Sequence, residues 1–177
     1  MLKKVFVIGL PLIIILIFVY YLLGGFNEVN IQKTDTSSYI IMGRLYEGEY
    51  KADTLKNTFR EMQRYVEKHQ GIGTVSVISY NPEQESKDSL KQLIGIKLSS
   101  KPAQLIEKTN IDTLEARQAV RAIIKAHPIV MPSPIDVAQE IRAYAKREGL
   151  TLQKYAIEQY ISEREIWVDI PVAIAAQ

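Results

Sequence analysis

The chain has 177 residues, of which 24% are charged, and a formal net charge of +2. One domain with an appendage is expected at this length, because a core that outweighs chain entropy usually needs about 100 residues or more. The chain has no cysteine, which excludes disulfides, thiolate zinc sites and cysteine nucleophiles.

The N-terminal residues are the most apolar part of the sequence. Residues 5–23, VFVIGLPLIIILIFVYYLL, are 19 residues without a charge, enough to cross roughly 30 Å of hydrocarbon at about 1.5 Å per residue. We therefore predict a transmembrane helix, with residues 1–26 as a membrane anchor and residues 27–177 as a domain. A cleavable signal peptide is the alternative, but its apolar region is typically about 7 to 15 residues and ends in small residues, whereas this one ends near Tyr20 and Tyr21.

The charges near the anchor predict its orientation. Lys3 and Lys4 precede the apolar residues, and the next basic residue is Lys33. The positive-inside rule then predicts an inner or plasma membrane protein with a cytoplasmic N-terminus and an extracytoplasmic domain.

The rest of the chain is electrically neutral. Beyond residue 26 there are 20 basic and 20 acidic residues, and they alternate along the chain. Nucleic-acid binding needs a basic stripe, so we do not expect a nucleic-acid partner.

A first module follows the anchor. A strand over residues 37–50 ends in a turn at Gly48, and an amphipathic helix over residues 53–71 ends at Gly71. The apolar stripe of this helix is Leu55, Phe59, Met62 and Val66. Strands over residues 74–80 and 90–98 come next, separated by a charged loop with Asn81-Pro82.

A second module repeats this order. Residues 113–125 alternate as one long strand, and a helix over residues 134–149 has Ser133 as N-cap and Asp136 in a pattern like a capping box. Two more strands cover residues 155–163 and 164–172.

The repeated order predicts an α+β fold preceded by one transmembrane helix. Tandem strand-helix-strand-strand modules, at about residues 28–100 and 111–174, are expected to form a curved antiparallel sheet with both helices on one face. The junction of the modules is then a natural ligand groove.

The last strand has two chemically different faces. Alternation places Ile166, Val168, Ile170 and Val172 toward the core, and it places Glu165, Trp167, Asp169 and Pro171 on the other face. We interpret Trp167 as a groove wall and the carboxylates of Glu165, Asp169 and Glu158 as its charged rim, a combination that binds a cation or an amphipathic molecule. The alternative is a solvated sheet face with a packing tryptophan.

Three stretches of the sequence are YEGEYKADTLKNTFREMQRYV, VISYNPEQESKDSLKQLIGIKL and YAIEQYISEREIWVDIPV. They resemble the GyrI-like small-molecule-binding domain, which is also the effector-binding domain of some AraC-type and MerR-type transcription regulators. The resemblance extends over about residues 28–174 and implies two fused modules with a ligand groove at their junction.

The resemblance also implies particular site residues. Gly48-Glu49-Tyr50 stands where the family has a turn like Gly-Pro-Tyr, and Glu158 with Tyr160 matches a carboxylate-bearing strand. Trp167 occupies the position of the pocket glutamate of drug-binding members, and Glu165 supplies a carboxylate two residues earlier. Apart from the resemblance, Tyr46 and Tyr80 are expected to line the cleft as tyrosines at strand ends. The predicted ligand-binding residues are therefore Tyr46, Tyr80, Glu158, Tyr160, Glu165 and Trp167.

The predicted function is a membrane-anchored, sensor-like domain that binds a small organic ligand, cationic or amphipathic. The alternatives are a protein-interaction adaptor with an unknown partner and a hydrolase that uses Trp167, Tyr160 and Glu158, as reported for some members of the family. No cofactor is expected, and no metal, because His69 and His127 lie in different turns.

Overall fold

The computed structural model describes residues 2–49, 53–80, 90–99 and 106–174, with only the backbone at residues 2–9, 134 and 135. The helices are α1 (Leu2–Leu22), α2 (Asp53–Lys68) and α3 (Pro134–Arg147). The strands are β1 (Asn30–Asp35), β2 (Tyr39–Gly48), β3 (Gly73–Tyr80), β4 (Leu90–Leu98), β5 (Asn110–Leu114), β6 (Gln118–Lys125), β7 (Tyr155–Ser162) and β8 (Glu165–Pro171). The predicted α+β class is confirmed.

The strands form one antiparallel sheet in the order β1-β6-β8-β7-β3-β4-β2-β5. The order β3-β4-β2 in the first half is matched by β7-β8-β6 in the second half, and β3 pairs with β7 at the centre. Along the chain, each half runs strand, helix, strand, strand, as the sequence predicts.

The prediction of one long strand over residues 113–125 is wrong. The chain leaves the sheet at residues 115–117, so that β5 pairs with β2 while β6 pairs with β1 and β8. Ala116, in this connection, is buried beside Tyr39. Strand β1, which the sequence analysis missed, therefore lies at the edge of the second half, and β5 lies at the edge of the first.

The short connections require a strongly curved sheet. In a flat sheet β5 and β6 would be about 29 Å apart, six strand spacings, whereas the four residue steps from Leu114 to Gln118 reach at most about 14 Å. Curvature also brings the Tyr39 hydroxyl of β2 within 2.7 Å of Asp169 of β8, four strands away in the sheet order. We call the face that carries Tyr39 and Asp169 the inner face.

Helices α2 and α3 pack on the opposite face of the sheet, which we call the outer face. Met62 of α2 contacts the cluster that contains Val77, and Ile141 of α3 contacts the cluster that contains Val168. Val77 and Val168 flank Glu158 in the sheet pairing, so all three residues point to the same side.

The predicted helix signals of both modules are confirmed. Leu55, Phe59, Met62 and Val66 of α2 pack in one cluster. Ser133 is the N-cap of α3, where its hydroxyl accepts a hydrogen bond from the Asp136 N–H at 3.2 Å. Gly149 follows α3 with φ of +65°, a left-handed conformation that favours glycine.

Helix α1 contains most of the predicted membrane span. Within the part of the chain that the structure describes, no helix is both long and apolar enough to cross a membrane. The predicted transmembrane helix at residues 5–23 is therefore not supported.

Some predicted features lie outside the described residues. They are Tyr50 of the Gly48-Glu49-Tyr50 turn and the loop with Asn81-Pro82.

We predict that Gly95→Ala destabilises the fold by about 2 kcal/mol or more. A Cβ at Gly95 would lie 2.3 Å from the Met42 carbonyl oxygen and 2.7 Å from the Gly43 Cα, so the backbone of β2 or β4 must shift. Gly71→Ala is the control, because its Cβ meets nothing within 4 Å, and the left-handed backbone alone costs about 1 kcal/mol. Urea unfolding followed by circular dichroism measures both, and equal losses would contradict the packing argument.

Candidate functional site

The six predicted ligand-binding residues lie on both faces of the sheet. Glu158 pairs with Val168, and Tyr160 with Ile166, so both side chains point to the outer face. Trp167 pairs with Gln159 and points, like Glu165 two residues before it, to the inner face. Because residues alternate along a strand, no single groove on one face contains all of them.

A groove of about 650 Å³ lies on the outer face between α2 and the turn that joins β7 to β8. Its apolar lining includes Phe59 and Tyr160, whose rings meet edge to face at a centroid distance of 4.8 Å. The Tyr160 hydroxyl donates to Glu158 Oε2 at 3.0 Å. Glu158 is 9% exposed, so its carboxylate lies behind the aromatic pair.

Charged side chains line the rest of the groove. Glu67 and Glu163 contribute carboxylates, Arg164 a guanidinium and His127 an imidazole. With Glu158 behind Tyr160, carboxylates outnumber the permanently charged cations around the described groove.

Two predicted tyrosines lie elsewhere. Tyr46 packs against the cluster under α2, its hydroxyl donating to the Glu49 carbonyl at 2.7 Å, and it is not among the groove-lining residues. Tyr80 packs against the inner-face cluster, where burial and then the charge of Asp112 raise its pKa.

The indole of Trp167 is already engaged by the protein. Its Nε1 donates to Glu165 Oε1 at 2.8 Å, as two same-face neighbours on one strand allow. The Arg121 guanidinium lies 4.3 Å from the ring centroid. One face of the indole therefore stacks against a cation that the protein itself supplies.

Asp169 does not belong to a charged rim, and that prediction is wrong. It is fully buried and accepts hydrogen bonds from Arg121 Nε at 2.7 Å and Arg121 Nη2 at 2.8 Å. The Tyr39 hydroxyl donates to it at 2.7 Å and Gln159 Nε2 at 2.8 Å. Curvature of the sheet encloses the inner face, which a flat sheet would leave in water.

The inner-face network continues to Lys97. Its Nζ donates to Gln159 Oε1 at 2.9 Å and lies 4.9 Å from the centroid of the Tyr39 ring. Burial lowers the pKa of Lys97. Burial and then the charge of Asp169 raise the pKa of Tyr39, whereas the hydrogen bonds to Asp169 raise that of Arg121.

Four residues of this network were not predicted from the sequence: Tyr39, Lys97, Arg121 and Gln159. A signal was present, because Lys97 and Arg121 are cations within otherwise apolar strands, LKQLIGIKL and QAVRAIIK. Across the described ranges, no group of three or more residues with metal-ligating side chains could hold a metal ion.

No protein-family model matches the sequence, and no curated protein matches it significantly. Solved structures match the fold. The EcmrR C-terminal domain matches with a TM-score of 0.60 and 11% identity, over 82% of this chain and 98% of that chain. An uncharacterized conserved protein from Listeria innocua has a TM-score of 0.59 and 9% identity, over 81% and 92%. A hydrolase from the same organism matches with a TM-score of 0.54 and 9% identity, over 81% of this chain and 92% of that chain. These likenesses show a shared fold.

We predict that Arg121→Met lowers the free energy of unfolding by about 3 to 5 kcal/mol, since it leaves the buried Asp169 carboxylate without its ion-pair partner. The control is Lys91→Met, which removes an exposed ion pair with Glu47 and should cost much less, because water screens exposed charges. Urea unfolding of both variants is the measurement. A cost for Arg121→Met no larger than that for Lys91→Met would show that the substitution does not leave Asp169 as an uncompensated buried charge.

Proposed function

We propose that this chain is a GyrI-like small-molecule-binding domain and that it binds a small organic cation or cationic amphiphile in the outer groove. The observation that carries the proposal is the Phe59–Tyr160 aromatic pair with the Glu158 carboxylate hydrogen-bonded behind it. The groove volume of about 650 Å³ lies in the range of ligand pockets, about 300 to 1,000 Å³. The fold shared with the EcmrR C-terminal domain is compatible with the sequence resemblance.

The chemistry of the groove favours a positive ligand. Aromatic faces attract cations, and the carboxylates of Glu67 and Glu163 line the same surface. Tyr160 contributes a ring to the ligand surface while its hydroxyl is held by Glu158. A lipophilic cation would bury apolar area against Val66, Val75 and Ile166. It would also be attracted by the negative charge of the Glu158 carboxylate behind Tyr160.

Binding is favoured over hydrolysis by the position of Trp167. A hydrolase of the kind considered above would need Trp167 beside Tyr160 and Glu158, but Trp167 lies on the inner face, opposite Gln159. Of these three residues, only Tyr160 lines the outer groove, with Glu158 behind it.

The test compares two ligands of matched shape and opposite charge, tetraphenylphosphonium and tetraphenylborate. We expect the full-length chain to bind the phosphonium saturably and more tightly than the borate. Glu158→Gln keeps the side-chain shape and removes the charge, so we expect about tenfold weaker phosphonium binding, equal to about 1.4 kcal/mol. Equilibrium dialysis or calorimetry measures the affinities.

Glu165→Gln is the matched control, since it makes the same substitution on the inner face and should leave phosphonium affinity unchanged. Equal affinity for the two ions, or an equal effect of both substitutions, would exclude the outer groove as a cation site. Absence of binding by either ion would favour the protein-interaction alternative.

We also propose a location at the inner or plasma membrane, with residues 5–23 as the attachment and the domain on the extracytoplasmic side. The support is the uncharged sequence of these residues after Lys3 and Lys4. In addition, the large apolar side chains from Leu10 to Leu22 are 40% to 65% exposed. Burial of such a surface is favourable by about 25 cal/mol per Å².

Alkaline carbonate extraction of cell membranes tests the location. We expect the full-length chain in the membrane pellet and a variant lacking residues 2–26 in the supernatant. Release of the full-length chain by carbonate would argue against attachment through these residues.

A further inference from the structure

The inner face contains a half-buried cation whose charge is not neutralised by a nearby carboxylate. Lys97 Nζ donates to a neutral group, the carboxamide of Gln159. Among the described residues, no carboxylate lies within ion-pairing distance of Lys97. Burial lowers the pKa of Lys97 most, the charge of Asp169 raises it, and the charge of Arg121 lowers it by the smallest amount.

The position of Lys97 is fixed by the network behind it. The Gln159 side chain is 2% exposed, and its Nε2 donates to Asp169 Oδ2 at 2.8 Å. A carboxylate only accepts hydrogen bonds, so Asp169 orients the amide nitrogen inward and the amide oxygen toward Lys97. This hydrogen bond holds the Lys97 ammonium at the sheet surface, whereas a solvent-exposed lysine samples many side-chain conformations.

Cations outnumber carboxylates on the same surface. Arg121 lies over one face of Trp167 and forms a forked ion pair with Asp169. Lys97 and Arg121 therefore share the buried Asp169 carboxylate, while the Glu165 carboxylate on the same face accepts from Trp167 Nε1 and lies 3.8 Å from Lys125 Nζ. Together these three cations and two carboxylates have a net charge of +1. Lys97 and Trp167 are half-buried whereas Gln159 and Asp169 are buried, so the positive side of the network is the side that reaches water.

We propose that the inner face binds a small organic carboxylate at Lys97, beside Arg121 and Trp167. One carboxylate oxygen accepts from Lys97 Nζ, and the negative charge offsets both the burial of the ammonium and its repulsion by Arg121. Guanidinium N–H groups that do not contact Asp169 are further donors, because a guanidinium has five. The apolar part of the ligand lies against the exposed edge of the Trp167 indole. This site is separate from the outer groove and has the opposite charge preference.

Trp167 is the only tryptophan of the chain, so its fluorescence reports on this site. The experiment titrates the full-length chain with benzoate at constant ionic strength, and with benzamide as a neutral molecule of nearly the same shape. We expect a saturable change in Trp167 fluorescence with benzoate and at least tenfold weaker binding of benzamide. Equal responses to the two molecules would overturn the proposal.

Two substitutions separate the charge of Lys97 from its bulk. Lys97→Gln removes the charge and should weaken benzoate binding at least tenfold, whereas Lys97→Arg keeps the charge and should keep most of the affinity. Glu158→Gln, on the outer face, should leave benzoate binding unchanged. Unchanged benzoate affinity in Lys97→Gln would exclude Lys97 as the anion site.

A second measurement needs no substitution. Benzoate that binds the native state raises the midpoint of thermal unfolding of the unchanged chain, and benzamide at the same concentration should not. A midpoint that moves equally with both, or with neither, contradicts the proposal. Tetraphenylphosphonium binding should be the same in Lys97→Gln as in the unchanged chain. The anion site on the inner face and the cation site in the outer groove are therefore tested independently.

Discussion

The buried carboxylate of Asp169 determines how the sheet closes. Its partners come from both halves of the fold, with Tyr39 on β2 and with Gln159 and Arg121 on β7 and β6. A charge removed from water is costly unless it is paired and its oxygens are hydrogen-bonded. Arg121 and Gln159 lie on the strands that flank β8, and only the curved sheet adds the Tyr39 hydroxyl. A flatter arrangement would separate Tyr39 from Asp169 by the width of four strands. The network therefore contributes less to net stability than to the choice of one curvature.

Curvature gives the two faces different chemistry. The inner face closes over a small apolar cluster around Tyr39 and Ile157, with the charged network beside it. The outer face is convex and is covered by two separate helices, which pack on different clusters. Helices α2 and α3 are held apart on this convex face, and the groove beside α2 lies where neither helix covers the sheet. The outer groove and the enclosed inner network thus both depend on this curvature.

Local signals predicted the elements well, and the non-local pairings could not be predicted. Apolar periodicity and the cap at Ser133 identified α2 and α3, because these patterns depend on neighbours within four residues. Alternation correctly placed Ile166 and Trp167 on opposite faces of the sheet, but it could not show which face is exposed to water. The burial of the Asp169 face depends on Tyr39 and Arg121, which are 130 and 48 residues from Asp169 in the sequence. The break at residues 115–117 was missed because both flanking segments have strand-forming sequences, and only their partners differ.

Strand β7 connects the two candidate sites. Glu158 and Tyr160 point to the outer face, while Gln159 between them points inward and donates to Asp169. A slip of β7 by one residue would reverse every side chain, placing the Glu158 carboxylate on the inner face near Asp169 and the Gln159 amide outside. Two carboxylates buried together repel each other, and Asp169 would lose a donor. The inner network therefore selects the register that presents Glu158 behind Tyr160, so Asp169 helps to position the outer groove without contacting it.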